Sequence, residues 1–417
     1  MSRNNLQRFR RTAFGGILLL AACLSFAQAP NTCLDCHSAL PEPLGVTQDK
    51  FAQDIHAQKG LTCASCHGGD PTSMDMTVAM SKAKGWKGKI DRKQVPALCG
   101  SCHSDPNFMK QYNPSLRTDQ LTEYHTSMHG KQLAAGNTKV AVCTDCHSVH
   151  DIRPPSDMHS TVYPLNVAKT CSKCHADADY MKQFGIPTNQ YANYTTSVHY
   201  EALTKGGDLS APTCVTCHGN HGATPPGVDK VQNVCATCHV FQAQMYGKST
   251  HFKVFQDKGL PGCVVCHTNH AIHPPSDVML STGTGGVCMT CHKPGDRCDV
   301  ARGNILGSLT KLDQTIGSAE QILHLAESSG MEVSSALLAQ DQARDALTKA
   351  RVTIHTFQPG LVDSDIQTGM KIANANYKAG QDAMVERNHR RIGLGICLIA
   401  IAFAMFGLWL LIKKIEA

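Results

Sequence analysis

The sequence predicts a mainly α-helical and irregular fold with little sheet, followed by a C-terminal helical bundle and one apolar helix. Three observations predict it. Cys-x-x-Cys-His motifs recur through residues 31–297, and the Gly- and Pro-containing stretches between them leave room for short helices and loops only. From residue 298 the motifs stop, and apolar residues recur at helical spacing. An uncharged run then occupies residues 392–412.

Nine such motifs lie in the chain, which contains 21 Cys and 22 His in 417 residues. The motif cysteines are Cys33, Cys36, Cys63, Cys66, Cys99, Cys102, Cys143, Cys146, Cys171, Cys174, Cys214, Cys217, Cys235, Cys238, Cys263, Cys266, Cys288 and Cys291. The histidines that follow are His37, His67, His103, His147, His175, His218, His239, His267 and His292. Motifs are numbered one to nine in chain order below.

The motif has the spacing that covalent haem attachment needs. Two thiols separated by two residues reach the two vinyl groups of one haem, and the adjacent histidine then lies under the iron. Structural zinc would need four ligands per metal and no histidine after every second cysteine. Disulfides give no reason for nine two-residue loops that each precede a histidine. The sequence therefore predicts nine covalent haem c groups, with the motif histidines as proximal iron ligands.

The N-terminus has the pattern of a secretory signal peptide. Four arginines precede an apolar run from Ala13 to Phe26, and cleavage after Ala27 is the preferred interpretation. Leu20–Cys23 also resembles a lipoprotein processing site, which remains the alternative. Both interpretations deliver the chain across the bacterial inner membrane.

Removing residues 1–27 lowers the formal net charge from +6 to about +2. Haem propionates make the loaded protein acidic, so we expect no nucleic-acid partner.

After the first motif the chain repeats, and each repeat carries two motifs. A segment Tyr-x-x-Ser-x-His comes first, ending at His129, His199 and His251, with a diverged form ending at His56. A motif extended to Cys-x-x-Cys-His-x-x-His follows, and its added residues are His150, His221 and His270. A closing motif completes the repeat. In the first repeat, Gly68-Gly69-Asp70 replaces the added histidine segment.

Two extra histidines for two haems predict bis-histidine coordination. The distal candidates are His56, His129, His150, His199, His221, His251 and His270, with His125 as the candidate for one of the two haems left without a partner. These motifs resemble those of multihaem cytochromes c with doubled Cys-x-x-Cys-His repeats, similar in style to cytochrome c3, over about residues 31–297. The resemblance implies closely stacked, mostly bis-histidine haems that form the core and carry electrons. The first repeat departs from this pattern.

The C-terminal part predicts a helical bundle over residues 298–391 and a transmembrane helix over 392–412, followed by a short cytoplasmic tail at 413–417. The uncharged run is long enough to cross a bilayer, and Trp409 suits an interface. Haem attachment outside the cytoplasm then places the motif domain, residues 28–297, in the periplasm. His324, His355 and His389 are interpreted as helix-surface residues, with a haem-ligand or quinone-site role for His355 or His389 as the alternative.

The favoured function is electron transfer, because an iron with two protein ligands has no open position for a substrate. The expected donor is the quinol pool or a membrane oxidoreductase, and the expected acceptor another cytochrome or a terminal reductase. We predict no catalytic residue. A reductase of nitrite, hydroxylamine or sulfur oxyanions would need a five-coordinate haem, which only the first repeat region leaves room for. A quinol dehydrogenase is the third hypothesis.

Overall fold

The computed structural model describes residues 31–225 and 231–416, so the predicted signal peptide lies outside the described residues. Helices are its regular secondary structure, and the described ranges contain no strand, which confirms the mainly α and irregular fold. The α-helices are α1 (Thr32–His37), α2 (Gln48–Ala52), α3 (Ile55–Gln58), α4 (Cys63–His67), α5 (Met76–Ala79), α6 (Val95–His103), α7 (Pro106–Met109), α8 (Gln120–Thr126), α9 (Met128–Ala134), α10 (Cys143–His147), α11 (Pro164–His175), α12 (Ala178–Met181), α13 (Gln190–Tyr194), α14 (Val198–Thr204), α15 (Cys214–His218), α16 (Val231–Ala236), α17 (Val240–Gly247), α18 (Thr250–Asp257), α19 (Val264–His267), α20 (Arg297–Ser328), α21 (Ser334–Thr353) and α22 (Pro359–Glu416).

Short 3₁₀ helices supplement them at Lys82–Lys84, Arg92–Gln94, Lys182–Phe184, Asp277–Leu280, Cys288–Thr290 and Ile354–Thr356.

The chain forms two compact units. The first contains the described residues up to Leu116 together with Cys143–Pro154, and the second contains Arg117–Val142 and the residues from Pro155 onward. Motifs one to four lie in the first unit and motifs five to nine in the second.

The three long helices α20, α21 and α22 pack as an up-down-up bundle within the second unit. Buried Leu309, Leu312, Leu347, Val362 and Ile366 form its centre, at the three- and four-residue steps that place side chains on one helix face. The same cluster includes Leu280 and contacts Cys288. The bundle therefore packs against the segment that carries motif nine.

A polar pair is buried inside this apolar bundle. Gln340 Nε2 donates to the carbonyl oxygen of Ile316 at 2.7 Å, and Asn376 Nδ2 donates to Gln340 Oε1 at 2.8 Å. The two side chains are 3% and 4% exposed. Because buried polar groups must be satisfied, this relay fixes one register among the three helices.

Helix α22 continues for 58 residues, and its last part is apolar on all sides and exposed. Its most apolar window has a mean hydropathy of 2.6, so by length and composition this helix can cross a membrane. Residues 392–412 span roughly 30 Å as a helix, which matches the hydrocarbon core of a bilayer. At its end Lys413 Nζ lies 4.7 Å from the centre of the Trp409 ring.

Replacing Gln340 by Ala leaves the buried Asn376 amide without its acceptor. We expect the free energy of unfolding of the bundle to fall by about 1–3 kcal/mol. Guanidinium unfolding of the purified full-length protein, followed by far-UV circular dichroism, measures the change. Gln342→Ala on the exposed face of α21 is the matched control and should change little. Equal effects of the two substitutions would contradict the register role.

Candidate haem sites

The motif segments fold locally into single helical turns. Helices α4, α10 and α15 consist of one motif each, from first cysteine to histidine. Residues three and four apart share one face of a helix, so both thiols and the imidazole of a motif point to the same side. At α4 and α15 the preceding Thr62 and Thr213 close a capping box that fixes where the turn begins. This local geometry presents all three haem-binding side chains together.

Seven motif histidines each face a second histidine across a narrow gap. The ring centroids of these pairs lie 5.9–6.3 Å apart. The pairs are His56–His103, His67–His150, His129–His175, His199–His239, His218–His270, His251–His292 and His267–His355. Six of the seven partners stand at the repeat positions that the sequence singles out, and the seventh, His355, does not.

The spacing fits a metal ion between the rings. Two imidazoles that bind opposite sides of one metal, each through a bond of about 2 Å, have ring centres roughly 6 Å apart. The pairs therefore have the separation that a six-coordinate haem iron requires, and each joins one motif histidine to one histidine from elsewhere in the chain.

Hydrogen bonds at Nδ1 orient several of these rings. His37, His218 and His355 donate Nδ1–H to the carbonyl oxygens of Leu44 (2.9 Å), Thr224 (3.3 Å) and Val352 (2.8 Å). The carboxylates of Asp54 and Asp296 accept Nδ1–H from His56 (2.9 Å) and His292 (3.3 Å). A histidine that donates from Nδ1 keeps the Nε2 lone pair for a metal. Burial also lowers the pKa of the paired rings His67, His175, His199 and His267, which favours the neutral ligand form.

The pairs follow two pairing registers, meaning two fixed relations in sequence between a motif histidine and its partner. The histidine of each Tyr-x-x-Ser-x-His segment, and of its diverged form, faces the closing motif of its own repeat, as His129 faces His175 and His251 faces His292. Two added histidines instead face the motif two places earlier in the chain. His150 after motif four faces His67 of motif two, and His270 after motif eight faces His218 of motif six.

The Tyr-x-x-Ser-x-His segment has a structural explanation. Its serine is the N-cap of a helix whose second residue is the distal histidine: Ser197 Oγ accepts from the backbone N–H of Tyr200 at 3.2 Å and donates to the Tyr194 carbonyl at 2.7 Å. Ser127 and Ser249 make the equivalent bonds, and all three serines are buried. Capping fixes the start of the helix and with it the position of the histidine.

The tyrosine links this helix to the next motif. Tyr124 Oη donates to the carbonyl of Ala141 at 2.8 Å, and Tyr194 Oη donates to that of Pro212 at 2.9 Å. Both acceptors lie two residues before the first cysteine of a motif. The hydroxyl of Tyr246, the third member, is buried without a hydrogen-bond partner among the described residues.

In the diverged first repeat Asp54 replaces the serine as cap. Its Oδ1 accepts from the backbone N–H of His56 at 2.8 Å, and its Oδ2 accepts from the N–H of Ile152 at 2.9 Å. Burial raises the pKa of Asp54, but the hydrogen bonds from His56 and Ile152 outweigh it and leave the pKa lowered. The ionised carboxylate therefore orients the His56 ring and ties it to the His150 segment.

A backbone hydrogen bond joins the two repeated segments to each other. The N–H of the residue before a distal histidine donates to the carbonyl of the residue two after an added histidine. The bonds are Ile55 to Ile152 (2.8 Å), Met128 to Ala223 (3.0 Å) and Val198 to Ile272 (2.8 Å). Each bond therefore connects two successive repeats. It holds the helix with the distal histidine of one repeat against the loop after the added histidine of the next repeat.

Backbone strain is concentrated in the same loops. Non-glycine residues with positive φ in the described ranges are Ser148, His150, Thr268, His270 and Phe357. Left-handed backbone is disfavoured for side chains with a Cβ, above all for β-branched Thr268. Such strain costs about 1–3 kcal/mol per residue and persists only where surrounding contacts determine the conformation. The first four strained residues immediately follow a motif histidine or are themselves paired histidines.

Neighbouring motifs also bring their thiols together. In the first unit Cys33 neighbours Cys63, Cys66 neighbours Cys102, and Cys99 contacts Cys143. The second unit places Cys171 beside Cys214 and Cys217 beside Cys235, and Cys263 donates to Cys235, which lowers the pKa of Cys235 to about 7. Cys266 lies near Cys288 and Cys291. Within each unit, motifs consecutive in sequence are therefore neighbours in space.

The remaining distal candidates stay predictions. The exposed His125 ring lies 6.0 Å from that of Tyr124, and no motif histidine faces it among the described residues. His221 lies 3.9 Å from Glu123 Oε2, and burial lowers its pKa. His355, interpreted from the sequence as a helix-surface residue, instead stacks on His267. A lone histidine outside any repeat gave no sequence signal strong enough to identify this pair.

Tyr194→Phe tests the link between the capped helix and the following motif. Loss of the bond to Pro212 should lower the free energy of unfolding by about 0.5–1.5 kcal/mol. Tyr246→Phe is the matched control, because its hydroxyl has no partner to lose. Guanidinium unfolding followed by haem absorbance compares the two, and a larger loss at Tyr246 would contradict the assignment.

Comparison with known proteins agrees with this architecture. A family model described as cytochrome c3 matches residues 55–176. A C-type polyheme cytochrome, OmcC, of Geobacter sulfurreducens is 24% identical over 209 residues, which cover 45% of this chain and 26% of that protein. The chain thus spans about a quarter of the relative's length, and no solved structure matches significantly. Its repeated motifs, its helical fold and the family match over residues 55–176 make this chain similar to multihaem c-type cytochromes of the cytochrome c3 kind, and its C-terminal apolar helix is consistent with a membrane anchor.

Proposed function

We propose that this cytochrome binds nine haems and relays electrons through them between a membrane donor and a periplasmic or outer acceptor. The observation that carries the proposal is the set of seven histidine pairs, each containing one motif histidine and each spaced for an iron. The motif cysteines would hold each porphyrin by two thioethers, and the paired histidines would hold the iron from both sides.

Haem bound in this way supplies reversible one-electron chemistry at the iron. The protein supplies the neutral ligands, fixes their orientation through Nδ1 and leaves no open position at a paired site. Burial lowers the pKa of the paired rings His150, His251 and His270, which favours the neutral imidazole that binds a metal. These features favour electron transfer over substrate chemistry at the seven paired sites.

The order of neighbouring thiols supports a linear route. Motifs one to four are consecutive neighbours in the first unit, and motifs five to nine in the second. Haems attached at adjacent thiols are held close to each other, and electrons pass between neighbours without a mobile carrier. We propose that the sequence order of the motifs is also the order of electron transfer within each unit.

The membrane side of the route is assigned from α22. We propose that residues 392–412 anchor the chain in the bacterial inner membrane, with the haem region in the periplasm and Lys413 and Lys414 inside. The donor is then the quinol pool or a membrane oxidoreductase, and the acceptor another cytochrome or a terminal reductase. No nucleic acid takes part.

One observation favours a second function at the haem of motif one. The His37 ring is oriented by Leu44, yet among the described residues no second histidine ring faces it. An iron with an open position there could reduce a small oxyanion, as the reductase hypothesis requires. A quinol dehydrogenase would instead be reduced by a menaquinol analogue without any partner protein.

Haem stoichiometry and carbon monoxide binding test the proposal together. The purified protein should contain nine haems per chain by pyridine haemochrome analysis and intact mass. Carbon monoxide should bind the reduced protein at no more than two haems, because the seven irons held between two histidines exclude it. One equivalent bound would favour the second function at the haem of motif one, and three or more would contradict saturated coordination at the paired sites.

Truncation tests the anchor. A chain ending at Arg391 should move from the membrane to the soluble periplasmic fraction with its haem content unchanged, since it lacks the apolar part of α22. A chain ending at Ile412 keeps that part and is the matched control. Membrane retention of the shorter chain would show that another segment anchors the protein.

A further inference from the structure

The turn between α21 and α22 brings a histidine to motif eight. His355 lies in the 3₁₀ turn Ile354–Thr356, and its ring stacks with that of His267 at a centroid distance of 6.0 Å and an interplanar angle of 16°. Distance and angle resemble those of His218 and His270, at 5.9 Å and 8°. The Nδ1–H of His355 donates to the Val352 carbonyl at 2.8 Å, which leaves Nε2 as the metal-binding atom.

The pairing register explains why motif eight needs this residue. Motif two takes its partner from the loop after motif four, and motif six takes its partner from the loop after motif eight. By the same rule motif eight would take its partner after a tenth motif, which the chain lacks. His355 occupies the place of that missing added histidine.

Phe357 extends the correspondence by one contact. At motifs two and six, the second residue after the added histidine accepts a backbone hydrogen bond from the start of a helix that carries a distal histidine. Ile152 accepts from Ile55 in this way, and Ile272 accepts from Val198. Phe357 is two residues after His355, and its ring stacks on the distal histidine His251 at 3.8 Å. The turn therefore places the corresponding residue against a helix that carries a distal histidine, through a ring contact instead of a backbone hydrogen bond.

Strain and an ion pair mark the turn as fixed in place. Phe357 has φ 54°, and the other positive-φ non-glycine residues of the described chain all belong to the haem-ligand loops. One helical turn before His355, Arg351 makes a bidentate ion pair with Asp277, Nε to Oδ1 at 3.0 Å and Nη2 to Oδ2 at 2.8 Å. Asp277 belongs to the Pro-Pro-x-Asp segment that follows His270. Contacts on both sides of the turn, by Arg351 before His355 and by Phe357 after it, therefore hold the bundle next to motif eight.

We propose that His355 is the distal iron ligand of the haem at motif eight, so that the C-terminal bundle supplies the last ligand of the haem chain. This inference rests on the proposed bis-histidine haem function. It also joins the electron route to the anchor, because α22 begins at Pro359, four residues after His355, and continues to Glu416.

His355→Ala tests the assignment in the full-length holoprotein. It should create one high-spin ferric haem by electron paramagnetic resonance, and one more equivalent of carbon monoxide should bind on reduction than in the unsubstituted protein. Added imidazole should reverse both changes. His324→Ala, an exposed bundle histidine that pairs with Glu320 and Glu327, is the control and should leave all haems unchanged.

His355→Met keeps a ligand and covers the case in which the alanine variant fails to accumulate. It should stay low-spin, and one haem should titrate at a higher potential, since thioether ligation raises the potential. Unchanged spin state and carbon monoxide binding in His355→Ala, or unchanged potentials in His355→Met, would overturn the proposal. Three or more equivalents of carbon monoxide bound by the unsubstituted protein would instead contradict the proposed function.

Discussion

The structure depends on one chemical constraint: a short motif supplies two thiols and one imidazole to a haem, but the sixth ligand must come from the other side of the iron. Residues next to the motif cannot reach that side, because a helical turn directs its ligands one way. Each pair therefore requires the chain to return across the site. The serine caps, tyrosine links and inter-segment backbone bonds all serve to hold this returning segment in place.

The same constraint explains where the backbone is strained. The loops after motifs four and eight must turn sharply to send His150 and His270 towards earlier motifs, and both loops contain two positive-φ residues. The backbone bonds from Ile55 and Val198 offset part of that cost by fixing the exit of each loop. In the first repeat, where Gly68-Gly69 replaces the added histidine segment, the chain folds differently. A Cβ on Gly69 would lie 2.3 Å from the Ala79 carbonyl oxygen, so this site accepts close backbone packing in place of a ligand.

Sequence alone predicted the motifs, the repeats and six of the seven residues that face a motif histidine, because each of these signals recurs at fixed spacing. It did not predict which haem each histidine would bind, because the sequence alone does not show which of the distant motifs a histidine faces, as His67 and its partner His150 illustrate. The bundle also followed from periodicity, with α20 ending at Ser328 where Ser328-Ser329-Gly330 indicates a stop. A haem-ligand role for His355 was only the alternative interpretation, because its partner is set by a register that becomes visible only when the pairs are seen in space.

That register gives the bundle a second role. Its apolar core and the Gln340–Asn376 relay would fold an ordinary helical domain, yet its turn carries a histidine, a strained phenylalanine and an ion-paired arginine directed at motifs eight and nine. A repeat array needs a terminal element that satisfies the groups its missing neighbour would have covered. In this chain the terminal element is also the stem of the membrane helix. With His355 as the ligand that we propose, the same turn closes the haem array and joins it to the apolar helix, and it holds the last haems at a fixed place relative to the start of α22.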